Sequence, residues 1–143
     1  MALVYFDASA LVKLLVEEPG TGLAGDLWDG CDAALSSRLA YPEVCAALAA
    51  AGRDHDLTPT EVGQARRFWE ELWAAVRPVE LTAAVTRRAG YLCARHALRG
   101  ADAAHLASAL AVADPDLVVA VWDRRLHAGA VAERLAVAPA TLP

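Results

Sequence analysis

Two short apolar runs, each closed by an aspartate, limit the possible folds of this chain more than anything else in it. Ala2–Phe6 (ALVYF) stops at Asp7, and Leu117–Trp122 (LVVAVW) stops at Asp123. Both are brief, apolar on successive residues and bounded by polar or turn residues, which predicts strands buried on both faces. Three weaker segments, Ala33–Ser36, Pro78–Leu81 and Ala136–Val137, predict further short strands. Helical stretches fill the intervals. Ser9–Val16 is stopped by Pro19-Gly20, Thr21–Trp28 follows, and Arg38–Ala51 ends at Gly52. Thr58-Pro59-Thr60-Glu61 is a capping box that opens a helix to about Val76. On it Phe68, Leu72 and Val76, four apart, predict one apolar face. Thr82 caps a helix to about Ala97; Ala101–Ala113 and Asp123–Leu135 complete the set. Strands that alternate with helices predict an α/β fold with a short, mostly parallel central sheet. Residues 1–143 carry no repeat, low-complexity tract or linker, so a single domain is expected.

The charge balance narrows the function. A net charge of −5 argues against a protein that coats nucleic acid without specificity. Yet of the 13 basic residues all but Lys13 are arginines, the side chain suited to bidentate phosphate contacts. An acidic total is also compatible with an RNA substrate if some acids hold cations. Hydrophobic residues make up 57% of the chain, enough for a core with apolar surface left for a partner. Cys31, Cys45 and Cys93 are odd in number and lack CxxC spacing, so reduced thiols and a cytoplasmic setting are expected. The apolar start is cut at once by Asp7, Lys13, Glu17 and Glu18, unlike a signal peptide, and no run of about 20 apolar residues predicts a membrane span.

Of the 18 acidic residues, four interrupt apolar surroundings at the ends of elements. Asp7 and Asp123 close their strands and, in a parallel sheet, face the same carboxyl edge, where open α/β folds bind ligands. Asp102 lies in the first turn of an apolar helix, and Glu43 near the start of the helix after the second strand; both helix starts face that edge too. Singly, each has an ordinary explanation: Asp7 or Asp123 as a helix cap, Asp102 as the complement of a helix N-terminus, Glu43 as a solvated helix residue. Together they are costly, because two carboxylates about 4 Å apart repel by roughly 4 kcal/mol at an effective dielectric of 20. Such a cluster takes up protons or binds metal, and oxygen-only donors suit Mg²⁺ or Mn²⁺.

The segments YFDASALVKLLVEEPG (5–20), SRLAYPEVCAALAAA (37–51), LRGADAAHLASAL (98–110) and VVAVWDRRLHAGA (118–130) resemble, in this order and across nearly the whole chain, the PIN-domain family, most closely its VapC-type toxin ribonucleases. The resemblance implies an α/β/α sandwich and Mg²⁺- or Mn²⁺-dependent hydrolysis of single-stranded or structured RNA. It implies catalytic and metal-holding roles for Asp7, Glu43, Asp102 and Asp123: the first three around a principal ion, Asp123 with a second ion or a water. Ser9 falls on the hydroxyl position beside the first aspartate, where it orients Asp7 or a water. The implied partner is a VapB-like antitoxin, able to insert an arginine among the acids; the apolar excess and the tryptophans, for their part, fit a chain that forms a homodimer. Two positions depart from the pattern. Val121 stands where the family often carries Thr or Ser, and Pro42 adjoins Glu43.

Other residues have two readings. Arg124 and Arg125 follow Asp123 and either grip phosphate or form a solvated helix start. Arg87, Arg88, Arg95 and Arg99 form a basic rim or a charged outer face. His105, three residues after Asp102, is a ligand, a proton shuttle or a packed neighbour of the site, and the last suits an oxygen-rich Mg²⁺ site best. His96 and His127 read as surface. Trp69 and Trp73, four apart, are expected to meet the core or a partner rather than stack on RNA, with Trp28 joining that patch. Two rival functions stand against the nuclease. A catalytically silent PIN-like module would bind RNA or protein without cleavage. A phosphotransfer enzyme with Asp7 as nucleophile needs a second aspartate where Ser9 stands.

Overall fold

The sheet is built around the first strand. The computed structural model describes residues 1–143. It runs β1 (Leu3–Phe6), α1 (Ala8–Lys13), α2 (Thr21–Gly30), β2 (Ala33–Ser37), α3 (Ala40–Arg53), α4 (Pro59–Ala75), β3 (Arg77–Val79), α5 (Ala83–His96), α6 (Gly100–Val112), β4 (Val118–Ala120), α7 (Arg124–Ala132) and β5 (Ala136–Ala138). The strands pair in the order β3-β2-β1-β4-β5, and every pair is parallel. The chain leaves β1 toward β2 and β3, then returns to place β4 on the other side of β1. The crossover therefore lies between β1 and β4, with Asp7 at the end of one strand and Asp123 three residues past the other.

Alternation along β1 shows why both faces must be covered. Val4 and Phe6 point into a cluster with Leu11, Val44, Leu48, Trp69 and Leu72 from α1, α3 and α4. Tyr5 points the opposite way, among Leu92, Leu106, Val119, Val121 and Leu126 from α5, α6, β4 and α7. The result is the expected three-layer α/β/α sandwich. No helix is long and apolar enough to cross a membrane.

Several elements differ in detail from the sequence expectation. The helix after Asp7 ends at Lys13, and the LVVAVW strand pairs only through Val118–Ala120. On α4 the buried stripe is Ala65, Trp69, Leu72 and Val76, while Phe68 is 46% exposed. The stripe follows the i, i+4, i+7 rows, and the larger ring of Trp69 takes the core position. Trp69 is fully buried, with Tyr41 and Trp73 packed against it. It is thus a core residue, not an RNA platform. Trp28 does not join those rings but packs on Phe6.

Pro42 sits in the first turn of α3, where a missing N–H leaves no helical bond unmade. The Glu43 N–H already donates to Leu39, so the proline leaves the helix intact. Gly20, at φ 98°, turns the chain between α1 and α2; a Cβ there would meet the Trp122 indole at 2.7 Å. That close approach, with Lys13 Nζ 5.1 Å from the Trp122 ring centre, fixes the segment leading from β4 to Asp123.

Candidate active site

Asp7 and Asp123 are helix caps, so the ordinary explanation for each is correct. It is also what aims them. Asp7 caps α1 through Oδ1, which accepts the Ala10 N–H at 2.9 Å and the Ser9 hydroxyl at 2.6 Å. Asp123 caps α7 through Oδ1, which accepts the Leu126 N–H at 3.0 Å. Such caps contribute about 1 kcal/mol each. Because capping uses one oxygen, the second is left for another partner. Asp7 Oδ2 has no hydrogen bond within the chain, whereas Asp123 Oδ2 accepts from Arg99 at 3.3 Å.

Asp7 is 3% exposed, and burial pushes its carboxyl up from the ordinary 3.8. The nearby His105 and the bonds from Ser9 and Ala10 act against that rise, and the charge of Asp123 adds to it. Ser9 also accepts the Trp122 N–H at 3.1 Å. One hydroxyl therefore ties the end of β1 to the loop after β4, across the crossover. It orients Asp7, the first of the two roles the resemblance implied.

Glu43 is held from the opposite side. His105 is 3% exposed, and its Nε2 lies 2.6 Å from Glu43 Oε1. Its Nδ1 lies 2.8 Å from the hydroxyl of Tyr5, which is fully buried. Burial pushes the Tyr5 phenol well above its ordinary 10.0, so it stays protonated. Both contacts are satisfied when Tyr5 donates to Nδ1 and Nε2–H donates to the carboxylate. His105 is accordingly a packed neighbour of the site that fixes an acid. Tyr5 completes the chain, a role the sequence reading missed; its place two residues before Asp7 on a buried strand was the available signal.

Asp102 stands in the first turn of α6, 7% exposed, and its Oδ2 accepts from Arg99 Nε at 3.0 Å. Arg99 thus links Asp102 to Asp123. It belongs to the site, not to a basic rim with Arg87, Arg88 and Arg95; Arg95 instead approaches Glu133 at 3.6 Å. Val121 is fully buried in the apolar cluster and donates its N–H to Ala138. The hydrogen bond expected there is absent, and Asp123 is oriented by Leu126 and Arg99 in its place.

Arg124 and Arg125 are exposed on the first turn of α7 and, with His96 and Ala97, line a shallow groove between the end of α5 and α7. Arg124 also bonds the Pro143 carbonyl. His96 and His127 are not free surface groups: His96 meets Glu133 at 2.9 Å, and His127 meets the Pro139 carbonyl at 2.8 Å.

All four acids reach the carboxyl edge at the crossover, and their donor chemistry suits a hard divalent cation. No three carboxylate or imidazole groups meet around one point as they stand, because His105 draws Glu43 one way and Arg99 draws Asp102 and Asp123 another. Three acids keep an oxygen without a bond in the chain: Asp7 Oδ2, Glu43 Oε2 and Asp102 Oδ1. Both oxygens of Asp123 are engaged.

A family model described as PIN domain matches residues 4–135. Ribonuclease VapC49 of Mycobacterium tuberculosis (strain ATCC 25618 / H37Rv) is 72% identical over 142 residues, which span 99% of each chain. Among solved structures, a toxin-antitoxin complex from Klebsiella pneumoniae matches with a TM-score of 0.67 at 19% identity, covering 100% of both chains. Mycobacterium tuberculosis VapC20, described as a sarcin-ricin loop cleaving toxin, matches with a TM-score of 0.65 at 18% identity, over 87% of this chain and 93% of its own. At those identities the two structures speak for the fold alone.

Proposed function

The chain belongs to the PIN-domain family, and on that premise we propose that it is a VapC-type toxin endoribonuclease that hydrolyses RNA at the edge formed by Asp7, Glu43, Asp102 and Asp123. The observation that supports this reading is the pair Asp7 and Asp123, each aimed at the β1/β4 crossover by capping a helix, with Arg99 linking Asp123 to Asp102.

Asp7, Glu43 and Asp102 would hold Mg²⁺ or Mn²⁺, since each keeps an unengaged oxygen; Asp123 is the auxiliary acid. When bound, such an ion lowers the pKa of an attacking water and neutralises charge developing at phosphorus. The chain's own groups prepare that chemistry. Ser9 and Ala10 fix the Asp7 carboxylate, and the Tyr5–His105 chain fixes Glu43. Arg124 and Arg125 offer guanidinium groups to the flanking phosphates. A VapB-like antitoxin is the fitting neutralising partner, its arginine matched to these acids. Exposed Tyr91 and Val131 are apolar surface available to a second copy of the chain.

The test is cleavage of a mixed cellular RNA pool by purified protein with Mg²⁺, Mn²⁺ or EDTA, beside Asp7→Asn. Discrete products that need the metal and vanish in the variant are expected. A folded, antitoxin-free sample that cleaves nothing under any of these conditions would overturn the nuclease assignment in favour of a silent binding module.

A further inference from the structure

Arg99 is the only lysine or arginine in contact with the acidic quartet. It is the residue just before α6, in extended backbone (φ −70°, ψ 159°), and its side chain makes no cap to that helix. The guanidinium turns to the acids instead: Nε donates to Asp102 Oδ2 at 3.0 Å and an Nη to Asp123 Oδ2 at 3.3 Å. These two carboxylates come from different helices and have no other shared partner. The Arg99 side chain is nevertheless 64% exposed, against 10% for Asp102 and 30% for Asp123.

We propose that Arg99 is a resident counter-ion of the site, which holds Asp102 and Asp123 in the metal-free protein and competes with the divalent cation for them. The inference rests on the metal-dependent nuclease reading. Two acids brought together by the fold repel unless a positive charge stands between them. A planar guanidinium can bond two carboxylates at once, which a lysine ammonium does less well. Being exposed, the arm is free to leave without opening the core. Glu43 is held by the hydrogen bond of His105, which is packed between Tyr5 and Glu43 and cannot swing away. An ion that takes the Oδ2 atoms of Asp102 and Asp123 must displace Arg99, so the apparent affinity for an ion that uses them is reduced by the fraction of protein in the closed pairing.

The experiment is Mn²⁺ binding to the full chain, measured by calorimetry and by water-proton relaxation, for the wild type, Arg99→Gln, Arg99→Lys and Arg95→Gln. Arg95→Gln makes the same change in net charge on a neighbouring exposed arginine. Arg99→Gln is expected to bind Mn²⁺ about fivefold more tightly or better, a coupling of the usual size for linked sites. Arg99→Lys should fall between it and the wild type, Arg95→Gln should match the wild type, and the melting temperature of Arg99→Gln in EDTA should drop. Equal or weaker binding by Arg99→Gln, or equal tightening by Arg95→Gln, overturns the proposal and leaves the nuclease reading standing. If no protein of the set binds Mn²⁺ above the level of Asp7→Asn, the metal reading falls and the proposal with it.

Discussion

The four acids of the site fall into two pairs held by different kinds of partner. Asp7 and Glu43 are fixed by groups anchored in the fold: a backbone N–H, the Ser9 hydroxyl, and an imidazole locked by Tyr5. Asp102 and Asp123 share one exposed guanidinium, which reaches the oxygen of Asp123 that its helix cap leaves over. Buried neutral donors position a carboxylate without cancelling its charge, so its affinity for a cation is kept. A mobile cation satisfies the charge and must be exchanged. The contacts of Asp7 and Glu43 are therefore fixed and the Arg99 contacts of Asp102 and Asp123 exchangeable, although both pairs lie on one sheet edge.

The largest effect expected of any substitution is at Asp7. Asp7→Asn should lower cleavage by about 10³-fold or more, a loss on the scale of removing a main electrostatic stabiliser. The same change should leave the metal-free protein as stable as the wild type at neutral pH, or more so. Burial raises the Asp7 carboxyl above 3.8, so between the ordinary and the raised value the folded state holds a proton that the unfolded state has released. Stability from this group is full below the ordinary value and is lost as pH rises through the raised one. Asparagine removes that loss and keeps an oxygen for Ser9 and Ala10. Thermal melts in EDTA from about pH 3 to about pH 8 check the sign. A variant that melts well below the wild type at pH 8 would contradict this description of Asp7.

Next is the imidazole chain. His105→Ala is expected to reduce cleavage by about 10- to 100-fold, the usual consequence of losing a partner that orients a metal-holding group. Tyr5→Phe should give a smaller loss in the same direction, with a stability change of about 1–2 kcal/mol from an unpaired buried nitrogen. If Tyr5→Phe cleaves like the wild type while His105→Ala does not, the phenol contributes packing only.

Ser9→Ala comes third. It removes the donor to Asp7 and the acceptor of the Trp122 N–H, and a loss of about tenfold in cleavage follows from one hydrogen bond of about 1.4 kcal/mol. Unchanged activity would mean that the helix cap alone holds Asp7.

The smallest effect is on the rim. Arg124→Ala and Arg125→Ala should each weaken binding to single-stranded RNA modestly and lower the salt-dependence slope by about 0.7. RNA affinity measured across a salt series reads this directly. A slope that does not move assigns these side chains to the surface.

How much of this was legible in the residues depends on the range of the interaction. The two buried strands, the α4 capping box and the Thr82 cap are local patterns, and the structure holds each close to its expected place. The acids at the ends of β1 and β4 follow from the same logic, since parallel strands put their carboxyl ends on one edge. On the α4 stripe Leu72 and Val76 are buried as expected and only Phe68 gives way to Trp69, because spacing alone does not distinguish these adjacent rings; the packing of Tyr41 and Trp73 does.

The order of the residues by itself determined the layered α/β class and the common edge of Asp7 and Asp123, because each depends on neighbours within a few residues or on strand direction. The tertiary structure alone decided what each acid is bound to. Tyr5 and His105 are 100 residues apart, His105 and Glu43 are 62, and Arg99 and Asp123 are 24. Those pairings arise when α6 is laid across the sheet between α5 and α7. No local propensity encodes that placement, and it is what divides the site into a fixed half and an exchangeable one.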